Sequence, residues 1–354
     1  MSQILNRFII LHFKFTLLSM KINQCIVAGL FASFFCVSTT FAQFGGLGKK
    51  LLDKGNDMVA GGSLNKLLKQ PQAITTSFAD VDKINSKPPA FTEGEKAQPL
   101  YLLPKNTTGG FKLCEGFYEM TNKSYCLHAG TRGPSKGDGY MLAPVLGPKK
   151  DLVVTILKHA EQHANVQQRD IQVLLWAIIA RTKFADMNTN IKLTASTLLS
   201  PQELLMLQGG ALGILPANLM EKAKGQLPDA LQSVFEAENS IRRLAASGAS
   251  SYEDMEKYAV LAGLAPQPDP DVPAGIWSLH PDGYYIRFMP QGYSVTKVQI
   301  FVPKGLLASK PDLVYDGPNG IACPANVGAQ RLAQTNEPLN PDYTKKLTTI
   351  CFSK

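Results

Sequence analysis

Beyond residue 42 the chain has no apolar run approaching the ~20 residues a helix needs to cross a bilayer, so no integral membrane span is expected. It also has no cluster of basic residues. The formal charge is +8, but Arg7, Lys14 and Lys21 lie in the first 42 residues, which hold no acids, so the remainder carries +5, scattered along its length. That density excludes nucleic acid as an expected partner. No Gly-x-Ser-x-Gly elbow, no phosphate-loop or dinucleotide glycine spacing, no persuasive Ser/His/Asp set and no internal repeat is present. Cysteine is sparse: of six, only Cys114, Cys126, Cys323 and Cys351 follow residue 42.

The first 42 residues are richer in apolar residues than the rest of the chain. Met20-Lys21-Ile22-Asn23 gives a short basic start, Cys25 to Phe35 is almost wholly apolar, and Thr40-Phe41-Ala42 supplies small residues where a signal peptidase reads. We expect a leader over 1–42, export to the periplasm, cell surface or medium, and a mature chain from Gln43. In an oxidising compartment four cysteines favour disulfides, locally Cys114–Cys126 and Cys323–Cys351.

Periodicity divides the rest. Residues 43–105 read as an extended and partly helical approach segment. Residues 110–128 look strand-like around Thr121-Asn122-Lys123, which suggests a β-hairpin. The glycines at 130, 133, 137 and 139 make the next segment a loop, structural rather than anion-binding. Helices follow to about 265, and the one beginning near Asp170 is apolar nearly all round, which marks it as the central helix of its domain. Ala265 to Pro273 is proline-rich and reads as a linker over 266–273. Beyond it the period changes to two, with turn residues between short runs. The expected fold is α+β: a mainly helical domain over 106–265 with an N-terminal β-hairpin, followed by a small all-β, sandwich-like domain over 274–354.

The chemistry-bearing residues are Cys126 with His128, in Tyr125-Cys126-Leu127-His128, and Gln172 with Trp176, in Ile171-Gln172-Val173-Leu174-Leu175-Trp176. A cysteine and a glutamine held together in a dry site can lose ammonia and become an internal thioester, a stored electrophile. A long amide is an odd choice on a buried helix and must find a partner, because burying it unpaired costs a few kcal/mol. Trp176, one turn beyond Gln172, is placed to roof the bond. His128, two residues beyond Cys126, is placed to accept a proton from an attacking nucleophile. The same residues also fit a plainer arrangement in which Cys114 and Cys126 staple the hairpin, Gln172 bonds a loop carbonyl and Trp176 fills the core. As a thiolate pair for hydrolysis, Cys126 and His128 are poorly spaced on a strand, so no enzyme activity is expected.

These residues resemble the thioester domains of bacterial surface adhesins. That family joins an aromatic-Cys pair to a Thr-Gln-x-Ala-x-Trp helix motif by a Cys–Gln crosslink. Tyr125-Cys126 resembles the first piece and Gln172 with Trp176 the second, with Ile171 and Leu174 standing where the family has Thr and Ala. The resemblance spans about residues 110–185. It implies an adhesion protein that captures an amine or hydroxyl of a protein or glycan surface covalently, with Cys126 as acyl carrier and Gln172 as acyl donor. The alternative is a non-catalytic secreted or periplasmic interaction module. His159 and His163 stand one helical turn apart, a spacing helical zinc sites use, but a third ligand is wanting and a solvated helix face explains them better. No metal and no cofactor is expected.

Overall fold

The structure, a computed structural model, describes residues 71–75, 96–134, 137–215, 217–224, 229–260, 272–324 and 329–348. The leader, most of the 43–105 segment, most of the linker and Cys351 lie outside the described residues. In chain order the elements are strands β1 (Gln98–Pro99), β2 (Phe111–Lys112), β3 (Gly116–Cys126) and β4 (Tyr140–Pro144), then seven helices. These are α1 (Lys150–Ala160), α2 (Gln168–Ile179), α3 (Thr189–Leu198), α4 (Pro201–Met206), α5 (Ala217–Lys224), α6 (Asp229–Ala246) and α7 (Tyr252–Ala259). The chain then returns to strands: β5 (Ser278–Leu279), β6 (Tyr285–Pro290), β7 (Val295–Val302), β8 (Val314–Tyr315), β9 (Gly320–Pro324) and β10 (Leu332–Pro338), with a one-turn helix α8 (Leu306–Ser309) before β8.

Six strands close on themselves in the order β3, β10, β9, β4, β6, β7 and back to β3, all antiparallel. β1 and β5 are added at β3 and β6, and β2 pairs β8 apart from the barrel. The expected helical domain followed by a separate sandwich is therefore corrected. Strands β3 and β4, which precede the helices, pair with strands that follow them, so the helices are an excursion from one barrel. A six-stranded barrel is narrow enough for side chains to fill. Met120, Ile286, Phe288, Val298, Ile300 and Leu332 are buried in a core continuous with Leu174, Leu175 and Trp176 of α2. Among the described residues no helix is long and apolar enough to cross a membrane.

The expected hairpin is corrected as well: Thr121-Asn122-Lys123 lies mid-strand. Eight residues from Gly116 to Lys123 pair with Val302 to Val295, and Tyr118, Met120, Asn122 and Ser124 are buried while Glu119, Thr121 and Lys123 stay half-exposed. The turn propensity of Asn122 is overridden by pairing, since its amide donates to the Thr335 carbonyl at 2.8 Å inside the structure. Local cysteine pairing fails for the same reason. Ten strand steps separate Gly116 from Cys126, about 33 Å at strand rise, far beyond disulfide reach. Cys126 is a free buried thiol, Cys323 is likewise a thiol, and Cys114 is disulfide-bonded, so it does not pair with Cys126.

Helix α2 is the buried centre that its composition announced, touching β3, α1, α3, α6 and α7. It starts at Gln168, two residues before the expected cap at Asp170. It ends in a Schellman motif: Arg181 N–H bonds Ile178 O and Thr182 N–H bonds Ala177 O, both at 2.9 Å. Arg181 takes the left-handed conformation (φ 58°) usually left to glycine, and its guanidinium is tied to buried Glu238. Thus the C-terminal end of the helix bearing Gln172 and Trp176 is fixed.

Candidate functional site

Strand β3 has β7 along one edge only as far as Lys123. Ser124 N–H still donates to Ser294 O at 2.9 Å, but β7 has then turned away, while β10 continues beside Cys126 through Leu332. Helix α2 occupies the vacated edge with side chains. Gln168 Nε2 donates to Ser124 O at 3.2 Å and to Ser294 O at 2.7 Å. One turn on, Cys126 N–H donates to Gln172 Oε1 at 2.8 Å and Gln172 Nε2 donates to Cys126 O at 3.1 Å. The Gln172 amide thus replaces a missing strand residue, and every polar atom of the pair is satisfied in a buried place. A further turn on, Trp176 is fully buried and packs against the Tyr252 ring at 5.1 Å between centroids. Its indole N–H has no hydrogen-bond partner.

The sequence-predicted pair Cys126 and Gln172 is therefore in direct contact, with Trp176 on the same helix face. The environment is dry and keeps Cys126 protonated: burial pushes the thiol up, and the Glu256 charge adds to the shift. His128 is placed differently. It lies past the end of β3, its Nδ1 is 3.0 Å from Ala129 O, and it lines a small cleft with Gln72, Ile74, Ile179, Val234 and Glu238. Burial, helped by Arg331, lowers its pKa to about 3, so it is a neutral imidazole and a weak base.

Residues the sequence did not single out complete the neighbourhood. Tyr252 and Glu256 stand one turn apart on α7, whose start is fixed by the Ser251–Asp254 capping box. Tyr293 comes from the turn before β7, where its carbonyl accepts Ser124 Oγ at 3.0 Å. The Tyr252 and Tyr293 hydroxyls meet at 2.7 Å, and Tyr293 donates to the Glu256 carboxylate. Arg169 stacks its guanidinium on the Tyr252 ring at 4.2 Å and pairs with Glu253. Gln168 was detectable as a second glutamine four residues before Gln172. No local signal placed Tyr252, Glu256, Tyr293 or Arg169 there.

The glycine-rich loop is a clasp. A Cβ on Gly130 (φ 68°) would lie 2.8 Å from Ser233 O, and one on Gly139 would lie 2.6 Å from the carbonyls of Val272 and Pro273. Around it, Gln330 Nε2 donates to Thr131 O and Ala259 O. His159 Nδ1 sits 2.6 Å from Leu198 O, and no group of three metal-capable side chains occurs among the described residues. Comparison with known proteins finds no family model, no curated protein and no solved structure that matches the chain.

Proposed function

We propose that this chain is an exported cell-envelope binding or adhesion protein whose Cys126 and Gln172 condense to an internal thioester that captures a partner covalently. The observation that carries this reading is the two-bond contact between the Gln172 amide and the Cys126 peptide inside a water-excluding pocket. In the condensation the Cys126 sulfur adds to Gln172 Cδ, the Cδ–N bond breaks, and the nitrogen leaves as ammonia with the thiol proton. Water exclusion protects the product from hydrolysis until a chosen nucleophile enters. An amine or hydroxyl of a protein or glycan surface then takes the acyl group, and Cys126 is released as a thiol. Trp176 shields the bond. The leader at 1–42 supports export, and the match of Tyr125-Cys126 and Gln172 with Trp176 to the adhesin pattern supports the partner class.

A second reading is favoured by the same pair of hydrogen bonds. They complete the open edge of β3, as a structural glutamine would in a non-catalytic interaction module. The intact mass of the mature, unreduced protein separates the two. A deficit of one ammonia, cancelled by methylamine addition and absent in Cys126→Ala, is the expected result. A mass lacking only disulfide hydrogens leaves Gln172 as a strand cap and the interaction module as the function.

A further inference from the structure

A chain of three half-buried groups leads toward the buried pair. Trp176 is covered by the Tyr252 ring, the Tyr252 hydroxyl is 2.7 Å from that of Tyr293, and Tyr293 donates its proton to Glu256. Since Tyr293 donates to the carboxylate, Tyr252 is the donor in the Tyr–Tyr bond, and its oxygen keeps acceptor capacity for a group arriving beside Trp176. The hydrogen bonds therefore run in one direction, from the Trp176 side to Glu256. Position is over-determined. Tyr252 and Glu256 are held by the capped helix α7, and Tyr293 is tied through its carbonyl to Ser124, two residues before Cys126 on the same strand edge. Cys126, Gln172 and Trp176 are closed to solvent, whereas Tyr252, Tyr293 and Glu256 are partly open, so the three link the outside to the site.

The geometry points to Tyr252, Tyr293 and Glu256 as the proton relay that activates a primary amine for attack on the Cys126–Gln172 thioester. This rests on the thioester reading above. The amine nitrogen attacks Gln172 Cδ, the Cδ–N bond forms and the Cδ–S bond breaks, with its electron pair leaving on sulfur. One N–H proton passes to Tyr252, the Tyr252 proton to Tyr293, and the Tyr293 proton to Glu256. An equivalent proton finally returns to the Cys126 sulfur, so the products are an amide and a thiol. Glu256 acts through the tyrosines and is a positioning and proton-accepting group, whereas Tyr252 meets the nucleophile. The charges facing Glu256 are Arg169 on α2 and Glu253 on its own helix, with Tyr252, Tyr293 and Cys126 around it. Burial raises the carboxyl above its ordinary value, Arg169 opposes this and Glu253 adds to it.

The test compares wild type, Glu256→Gln and Tyr293→Phe, using methylamine as probe and intact mass as readout. An ammonia deficit in the wild type establishes the thioester, and its absence defeats that reading before the relay is reached. With the deficit present in a variant, methylamine uptake should be about 10²-fold slower than wild type, the scale of general-base assistance. The ratio of wild-type to variant rate should fall toward one as acid protonates Glu256, which a purely structural defect would not produce. Tyr293→Phe keeps the ring and the carboxylate, so it remains decisive where Glu256→Gln fails to crosslink. Uptake at the wild-type rate in a crosslinked variant, or a rate ratio constant with pH, overturns the relay.

Discussion

The two halves of strand β3 are finished differently. From Gly116 to Lys123 one edge is a continuous main-chain ladder to β7 and the other meets main chain at β1 (Tyr118, Glu119) and β10 (Asn122), and such bonds do not depend on which side chains are present. From Ser124 to Cys126 one edge is still β10, but the other is closed by Gln168 and Gln172 of α2. Stability in the first half is therefore spread over many peptide groups, while in the second it is concentrated in two amides and the tryptophan beyond them. The Cys–Gln pair lies in the second half, where the Gln172 amide takes the place of a neighbouring strand beside Cys126.

Substitution breaks this contrast most strongly at Trp176. Trp176→Ala should destabilise by about 3–5 kcal/mol in denaturant unfolding, since it empties a fully buried site between α2 and Tyr252. Trp176→Phe should cost distinctly less, because the indole N–H has no hydrogen bond to lose. Next comes Gln172→Ala, which leaves the Cys126 N–H and C=O both buried and unpaired. A loss of about 2–4 kcal/mol is expected, at roughly 1–2 kcal/mol for each orphaned group, the lower part of the usual range. Cys126→Ser keeps those backbone bonds and should cost clearly less than Gln172→Ala. Equal losses in the two variants would mean that the amide does not close the strand edge.

The same contrast explains what the sequence disclosed. Apart from Gln172, Ile171 to Ile179 is apolar all round, and one helix suffices to show burial, so α2 and the neighbourhood of Gln172 were legible. The alternation beyond residue 276 was legible as strand for the same local reason. Barrel closure was not, because Gly116 pairs with Val302 and Cys126 with Leu332, and no local pattern records which strands meet across an inserted helical block. The turn signal at Thr121-Asn122-Lys123 misled because tertiary pairing supplied Asn122 with a buried partner. Cys126 and Gln172 were found through their chemistry, whereas Tyr252, Glu256 and Tyr293 are ordinary residues until the fold brings them together.

Acid should act just beyond the second half. His128 has a folded pKa lowered to about 3, below the ordinary imidazole value of 6.5. In that interval the unfolded chain binds the proton and the folded one does not, so stability rises with pH through it. The contribution is complete above about pH 6.5 and is lost as pH falls toward 3. Between pH 7.5 and 5 this single group accounts for about 2 kcal/mol. His280, lowered to about 4 by burial, adds a loss of the same sign. Unfolding midpoints of wild type and His128→Asn measured across this range should converge as the pH falls. Parallel profiles would place the His128 imidazole in water.

The smallest effect is expected in the first half, at Lys123. Its ammonium reaches Glu337 at 2.7 Å, but the two side chains are 23% and 33% exposed and solvent screens the pair. Ion pairs of this kind contribute about 0–1 kcal/mol. The residue's structural role is its main-chain pairing with Val295, which survives substitution. Lys123→Ala should therefore shift stability by no more than about 0.5 kcal/mol and leave methylamine uptake unchanged. Double substitution with Gln172→Ala should be additive, because the two residues share no partner. A Lys123→Ala loss comparable to that of Gln172→Ala would show side chains carrying the first half as heavily as the second, and the division of β3 into a main-chain half and a side-chain half would fall.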